Sequence, residues 1–236
     1  MRLIFVRHGE PDYEHDCLTD NGRRQAACTA ERLAGEDIAA IYSSPMGRAR
    51  ETASYTAKSH GLEVQPLDFM HEINWGDSRE NCDELPDRLE YDGHPWTIAH
   101  KLLTESPQLV GSPDWTEHHY FKDNIMMDYY GMISEKFDEF LTGYGLVREC
   151  GLYRCREYCG DTVALFAHGG SGAVMFSHLL NLPMPFVLTS LPYGVCSVSV
   201  IEFAGQTGET VIPRLELFND MRHIGDFKPE MLHFDK

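Results

Sequence analysis

Short apolar runs that end in glycine or polar residues alternate along the chain with segments of helical periodicity. Residues 3–6 form one such run, and it stops at Arg7, His8 and Gly9. An apolar run rich in β-branched and aromatic residues is typical of a strand covered on both faces. The pattern recurs at 162–167, which stops at His168 before a second glycine-rich segment. We therefore predict two buried strands whose ends carry polar side chains.

The segments between these runs predict further elements. Alanines and leucines recur at helical spacing over 23–34, and Thr19 is a plausible N-cap for that helix. Pro45 suits the first turn of a second helix. Strands are also predicted at 38–42, 64–70, 195–203 and 211–218, the last two as a hairpin, and helices at 124–141 and up to Leu180. The alternation predicts an α/β fold class, a three-layer α/β/α sandwich around a mostly parallel sheet.

Residues 77–123 have weak periodicity, several prolines and many carboxylates. A connection of this length is unusual in a compact domain, so we interpret it as a helical cap inserted over the sheet edge. The cap either shapes a substrate pocket or only covers apolar surface. No Pro/Gly/Ser-rich linker divides the chain, and we expect a single domain over 1–236 that contains an approximate cap insertion at 77–123.

Charge and composition limit the partners and the compartment. The formal net charge of −17 argues against nucleic acid, because phosphate backbones are bound through clustered lysines and arginines. Nothing resembles a signal peptide or a membrane span. The sequence therefore predicts a cytoplasmic protein with a small-molecule substrate, and it leaves the oligomeric state open.

The seven cysteines fit reduced thiols better than a disulfide framework. Cys150, Cys155 and Cys159 cluster without a C-x-x-C pair, which makes a metal site there a minor alternative. We expect Cys155 and Cys159 to pack as small apolar side chains on one helix face.

Five polar side chains are expected to meet at one edge of the sheet, because the ends of parallel strands lie together. They are His8, His168, Glu72, Arg7 and Arg48. Two guanidiniums suit bidentate binding of phosphate, and a neutral imidazole can attack phosphorus near pH 7. This combination favours phosphoryl transfer, which relies mainly on positioning and charge stabilisation.

Four ordered blocks resemble the histidine phosphatase superfamily, which has the phosphoglycerate-mutase-like fold. Arg7-His8-Gly9 matches the Arg-His-Gly loop of that family, and the blocks at 18–26, 43–53 and 167–170 match its next recurrent motifs in order. The resemblance covers most of the chain apart from the cap and the tail. It implies that no metal and no cofactor are required.

The resemblance also implies a role for each matched residue. His8 would be the nucleophile that forms a phosphohistidine. Arg7 and Arg48 would bind the phosphoryl oxygens, and His168 would be a further donor to the transferring group. The proton donor would be Glu72, with Glu10 as the alternative, and Gly169 would donate its backbone N–H to phosphate.

The chain departs from the family at residues 10–15. Mutases of the family, and many of its sugar-phosphate phosphatases, carry a small hydroxyl residue and an asparagine there, whereas this chain has Glu-Pro-Asp-Tyr-Glu-His. The added negative charge favours a phosphomonoesterase acting on a small phosphorylated metabolite over a phosphoglycerate mutase. A non-catalytic phospho-ligand binder and a metal-assisted hydrolase remain open alternatives. The candidate residues for substrate specificity are His71, Trp75 and Arg79.

Overall fold

The computed structural model describes residues 1–73 and 95–227. The strands are β1 Arg2–Arg7, β2 Pro11–Asp12, β3 Cys17–Leu18, β4 Ile38–Ser43, β5 Val64–Pro66, β6 Leu146–Glu149, β7 Leu152–Cys155, β8 Thr162–Ala167, β9 Val198–Glu202, β10 Thr210–Val211 and β11 Arg214–Asp220. The α-helices are α1 Asp20–Leu33, α2 Gly47–His60, α3 Pro95–Glu105, α4 Met126–Thr142, α5 Gly169–Leu180 and α6 Met184–Ser190. No single helix in the described ranges is long and apolar enough to cross a membrane.

A six-stranded sheet in the order β11-β9-β1-β8-β4-β5 forms the centre of the molecule. Strand β1 lies parallel to β8, and β8 and β5 both lie parallel to β4. Strand β9 runs antiparallel to both β1 and β11. The sheet is therefore mostly parallel, which confirms the predicted α/β class and brings the carboxyl ends of β1, β8 and β4 to one edge.

The two faces of β1 contact different helix layers, because successive side chains of a strand point to opposite faces. Phe5 belongs to a core cluster that includes Phe137 of α4 and Phe176 of α5, and its ring lies 5.3 Å from that of Phe176. Ile4 packs in the opposite cluster, which includes Leu33 of α1. Each fully buried side chain of this size contributes about 1.5–3 kcal/mol. This arrangement gives the sandwich its three layers.

The first helix begins as predicted, and the second begins two residues late. Thr19 caps α1 by accepting a hydrogen bond from the Gly22 N–H at 3.0 Å. Helix α2 starts at Gly47 rather than in a turn containing Pro45. The Gly47 N–H donates to a side-chain oxygen of Asp16 at 2.6 Å, so a distant loop sets this helix start.

Two predicted strands are shorter than their apolar runs. Strand β5 ends at Pro66, and a single 3-10 turn at Asp68–Met70 replaces the rest of the run. Strand β9 begins only at Val198, because Cys196 adopts a left-handed conformation with φ +53°. The predicted hairpin of β9 and β11 pairs antiparallel as expected, but β10 lies in their connection and pairs with β7.

The expectation that Cys155 and Cys159 share a helix face is wrong. Cys155 ends β7, which forms an antiparallel hairpin with β6. The turn at Cys150 and Gly151 has positive φ at both residues, 51° and 83°. This turn lets β6 and β7 pair with each other. In the hairpin the side chains of Leu146, Tyr153 and Cys155 are buried in the core.

The predicted cap at 77–123 lies partly outside the described residues, which exclude 77–94. The remainder contains α3 and two 3-10 turns, Pro107–Leu109 and Pro113–Glu117. Trp115 in the second turn is buried and meets the ring of Phe121 edge-on at 5.3 Å. The function of this segment as a cap stays a prediction.

Candidate active site

His8 lies immediately after β1, at the centre of the sheet edge. Its backbone N–H donates to the carbonyl of Ala167 in the neighbouring strand at 2.9 Å, and only 1% of its surface is exposed. Nδ1 lies 2.7 Å from the carbonyl oxygen of Gly9. A carbonyl can only accept, so Nδ1 carries the proton and Nε2 keeps its lone pair.

Burial, followed by the positive charge of Arg7, lowers the pKa of His8 to about 3. The ring is therefore neutral at pH 7, as a nucleophilic imidazole must be. The N–H of Gly9 also donates to Thr52 Oγ1 at 3.0 Å, which fixes the loop behind the ring. A Cβ at position 9 would lie 2.8 Å from the carbonyl oxygen of Gly22, so only glycine allows this close approach.

Arg7 at the end of β1 and Arg48 in α2 both lie near His8. Arg7, at the end of β1, donates from Nη1 to the Tyr193 carbonyl at 2.9 Å. Arg48, in the first turn of α2, donates from Nη1 to Asp16 Oδ1 at 2.6 Å. The Nε atoms of both arginines are buried and have no hydrogen-bond partner among the described residues. Arg48 also donates from Nη2 to Met46 Sδ at 3.5 Å. Both guanidiniums are thus anchored and keep their Nε donor for an anion.

His168 follows β8 as His8 follows β1, and the two ring centroids lie 5.1 Å apart. Its Nε2 pairs with Ser44 Oγ at 2.7 Å, while its Nδ1 is buried without a partner in the part of the chain that is described. Burial lowers the pKa of His168, and the neighbouring His8 and the two arginines lower it further. Two neutral imidazoles therefore share the site.

Glu72 reaches the site from the segment after the Asp68–Met70 turn. Three backbone N–H groups donate to its Oε1: Gly170 at 2.9 Å, Ser171 at 3.2 Å and Ile73 at 3.0 Å. Burial raises the pKa of the carboxyl group, and the hydrogen bonds and the positive arginines only partly oppose this. Because Oε1 is already an acceptor, Oε2 is the atom that can carry an acid proton.

Glu10, the alternative proton donor, is held elsewhere. Its Oε1 accepts from Thr19 Oγ1 at 2.7 Å, and its Oε2 accepts from Asn21 Nδ2 at 2.8 Å. Both oxygens therefore bind the start of α1. This arrangement favours Glu72 over Glu10 as the acid.

The remaining predicted residues differ in their positions. Gly169 is the first residue of α5 and lies beside Arg7, since a Cβ at this position would be 3.4 Å from Arg7 Cζ. Donation of its backbone N–H to phosphate stays a prediction. The His71 ring packs edge-on against Tyr129 at 5.4 Å. Trp75 and Arg79 lie outside the described residues. No group of three or more His, Cys, Asp or Glu side chains within 1–73 and 95–227 is arranged to hold a metal ion.

Sequence reasoning missed three residues that contact the site: Asp16, Ser44 and Tyr193. Ser44 belongs to a recurrent motif block, which was the one available signal, and it now pairs with His168. Asp16 and Tyr193 lie in loops, and nothing in their local sequence indicates that they anchor arginines.

The two buried histidines are expected to make the protein less stable in acid. Both rings take protons in the unfolded chain below about pH 6.5 but stay neutral in the folded protein. The free energy of unfolding should therefore fall as the pH drops below about 6.5, by about 3 kcal/mol per ring at pH 4.5. Urea unfolding at pH 7.5 and 4.5 measures this loss.

The matched variant is His8→Asn, compared with the wild type at both pH values. Asparagine removes one titrating ring, so the pH-dependent part of the loss should shrink even if the variant is less stable throughout. An identical pH-dependent loss in both proteins would contradict the neutral state of His8.

Comparisons with known proteins agree with this geometry. Residues 3–108 match the family model of the histidine phosphatase superfamily, branch 1. A 2,3-bisphosphoglycerate-dependent phosphoglycerate mutase from Thermoplasma acidophilum is 36% identical over 102 residues, which cover 39% of this chain and 50% of the relative. A probable phosphoglycerate mutase GpmB from Yersinia enterocolitica is 26% identical, over 92% of this chain and 98% of the relative. The chain thus spans about half the length of the first of these relatives.

Solved structures share the whole fold. Phosphoserine phosphatase from Entamoeba histolytica superimposes with a TM-score of 0.61 at 23% identity, over 94% of this chain and 98% of that one. A mycobacterial glucosyl-3-phosphoglycerate phosphatase gives a TM-score of 0.58 at 21% identity, over 92% and 98% of the two chains. Residues 3–108 thus match the family model, and the solved structures, which are less than 25% identical to this chain, show its fold.

Proposed function

Since residues 3–108 match the family model of the histidine phosphatase superfamily and the chain shares the fold of solved phosphatases, we propose that this protein is a metal-independent phosphomonoesterase. It acts on a small phosphorylated metabolite through a phosphohistidine at His8. The observation that carries the proposal is the buried, neutral His8, whose Nδ1 is fixed by the Gly9 carbonyl and whose neighbours are two anchored arginines.

In the first step the Nε2 lone pair of His8 attacks phosphorus, and the ester P–O bond breaks. Arg7 and Arg48 bind the phosphoryl oxygens over which charge spreads, and their buried Nε donors are available for this role. The leaving oxygen takes a proton from Glu72 Oε2. The products of this step are the free alcohol, a phosphohistidine and a Glu72 carboxylate.

In the second step water attacks phosphorus, and the P–N bond breaks. Glu72 takes a proton from that water, so the carboxyl group and the neutral His8 are both regenerated. The N–H of His8 at Nδ1 remains on the Gly9 carbonyl through both steps and holds the ring in one tautomer. The net reaction is hydrolysis of the ester to alcohol and inorganic phosphate.

The mutase alternative is favoured by the named relatives, which include phosphoglycerate mutases. Phosphorus NMR on 3-phosphoglycerate and on a panel of other phosphomonoesters separates the two activities. We expect inorganic phosphate from at least one ester, little 2-phosphoglycerate, and unchanged rates in EDTA, because the site supplies its charge stabilisation from arginines.

Two controls accompany this measurement. The His8→Ala variant should release no phosphate under the same conditions, which excludes a contaminating phosphatase. Rapid formation of 2-phosphoglycerate with little free phosphate would make the protein a mutase. Loss of turnover in EDTA with recovery on added zinc would refute the metal-independent mechanism.

A further inference from the structure

Asp16 places a carboxylate directly on one of the two phosphate-binding arginines. Its Oδ1 accepts from Arg48 Nη1 at 2.6 Å, and its Oδ2 accepts from the Gly47 N–H at 2.6 Å. The Arg48 side chain is 6% exposed, whereas that of Asp16 is 42% exposed. The carboxylate therefore lies between the buried guanidinium and the solvent.

The loop holds Asp16 in this position. Asp16 has a φ of +46°, a conformation that asparagine and aspartate tolerate better than most residues. Earlier in the loop, Asp12 Oδ1 accepts from the N–H groups of Glu14 at 3.0 Å and His15 at 3.3 Å. A Cβ on Gly47 would lie 2.0 Å from the Asp16 carbonyl oxygen, so the loop and the start of α2 pack tightly. The contact with Arg48 is thus built into the backbone.

This contact makes the two arginines electrostatically unequal. Arg7 is anchored by the neutral Tyr193 carbonyl and keeps its full charge, while Arg48 shares its charge with Asp16. The buried imidazoles of His8 and His168 are neutral. The part of the pocket formed by the described residues therefore offers little positive charge beyond what one phosphoryl group requires.

We propose that Asp16 is a specificity-determining residue that acts against substrates with a second anionic group close to the phosphoryl group. The inference rests on the proposed function, because it takes Arg7 and Arg48 as the phosphoryl site. A second carboxylate on the substrate would meet the charge of Asp16, which already accepts from Arg48 within the described residues. Such like-charge contacts are a common means of rejecting ligands. The substrate class is then phosphomonoesters of neutral or cationic alcohols.

A different role for Asp16 has to be separated from this one. If Asp16 only fixes Arg48 and the start of α2, its loss should weaken the binding of every phosphate ester by the same factor. If it rejects anions, its loss should change the ratio between an anionic ester and a matched neutral ester. The ratio therefore distinguishes specificity from positioning.

The test uses glycerol 3-phosphate and 3-phosphoglycerate, which differ in a hydroxymethyl group and a carboxylate. Calorimetry on the His8→Ala protein gives both Kd values without turnover, with and without Asp16→Asn. Asparagine tolerates the left-handed backbone and removes the charge, and it keeps one of the two oxygens that accept from Arg48 and Gly47. Glu14→Gln, an exposed residue of the same loop, removes the same charge at another position. The kcat/KM ratio in proteins that retain His8 is a second readout, which does not depend on the folding of His8→Ala.

We expect glycerol 3-phosphate to bind more tightly than 3-phosphoglycerate, and Asp16→Asn to reduce this preference about fivefold, the size of one like-charge contact at a half-exposed carboxylate. Glu14→Gln should leave the ratio unchanged. Three outcomes would overturn the inference. Asp16→Asn could shift both Kd values by the same factor, Glu14→Gln could change the ratio as much as Asp16→Asn does, or neither ligand could bind. If the binding ratio shifts as expected but the wild type hydrolyses no ester, the proposed function fails and the inference on binding stands.

Discussion

The His8→Ala variant is expected to lose turnover by about 10⁴-fold or more, together with the phosphoenzyme, because no other described group replaces a buried, neutral nucleophile. The Nε2 atom of His8 is free only because the Gly9 carbonyl holds Nδ1. Rapid acid-free quenching of the wild type should trap a phosphoprotein that is labile to acid and stable to base. The alanine variant should yield none.

His60→Ala is the matched control for this experiment. His60 ends α2, about 20 Å along the helix from the Arg48 end, and its ring contacts Ser59, Thr56 and Glu36 rather than the site. Its loss should leave both turnover and phosphoenzyme unchanged. A phosphoenzyme that persists in His8→Ala would assign the nucleophile to another residue.

Glu72→Gln is expected to slow alkyl phosphates by about 10²- to 10⁴-fold while sparing aryl phosphates. An alkoxide leaves poorly without a proton, whereas a nitrophenolate leaves unaided. Glutamine keeps an oxygen for the N–H groups of Gly170 and Ser171, so the fold of the site is preserved. The values of kcat/KM for one alkyl and one nitrophenyl ester, in the wild type and the variant, measure the effect.

The pH profile provides an independent readout of the same carboxyl group. Burial raises the pKa of Glu72, so the acid form persists to higher pH than for an ordinary glutamate, and activity on alkyl esters should fall as the pH rises through that pKa. This decline should be absent in Glu72→Gln. Equal losses for alkyl and aryl esters in Glu72→Gln, with a selective loss in Glu10→Gln, would transfer the acid role to Glu10.

The buried strands were predictable because their residues have no solvent-facing side. The runs at 3–6 and 163–167 contain no polar residue, and they lie in β1 and β8. The same logic placed His8, His168 and Glu72 near each other, since strand ends of a parallel sheet meet. The structure brings these side chains together, and their chemical roles stay predictions that the experiments above test.

Other features depend on contacts that no local pattern records. The hairpin of β6 and β7 needs two left-handed residues at its turn, and cysteine at position 150 gives no indication of this conformation. The partnership of Asp16 with Arg48 joins residues 32 positions apart through a loop without periodicity. Similarly, β5 ends where a 3-10 turn begins within an otherwise strand-like run, and this turn is closed by the Met70 N–H, which donates to the Leu67 carbonyl at 2.9 Å.

The central position of β1 determines when this protein can fold. Its neighbours are β8 and β9, so Phe5 pairs with Leu165 on one side and with Ser199 on the other. Contacts of such high sequence separation slow folding, since a long loop must close before they form. During synthesis the first strand therefore emerges long before either neighbour, and the stretch 3–108 alone lacks both. His8 is therefore translated well before β8, α5 and Tyr193, which complete its surroundings.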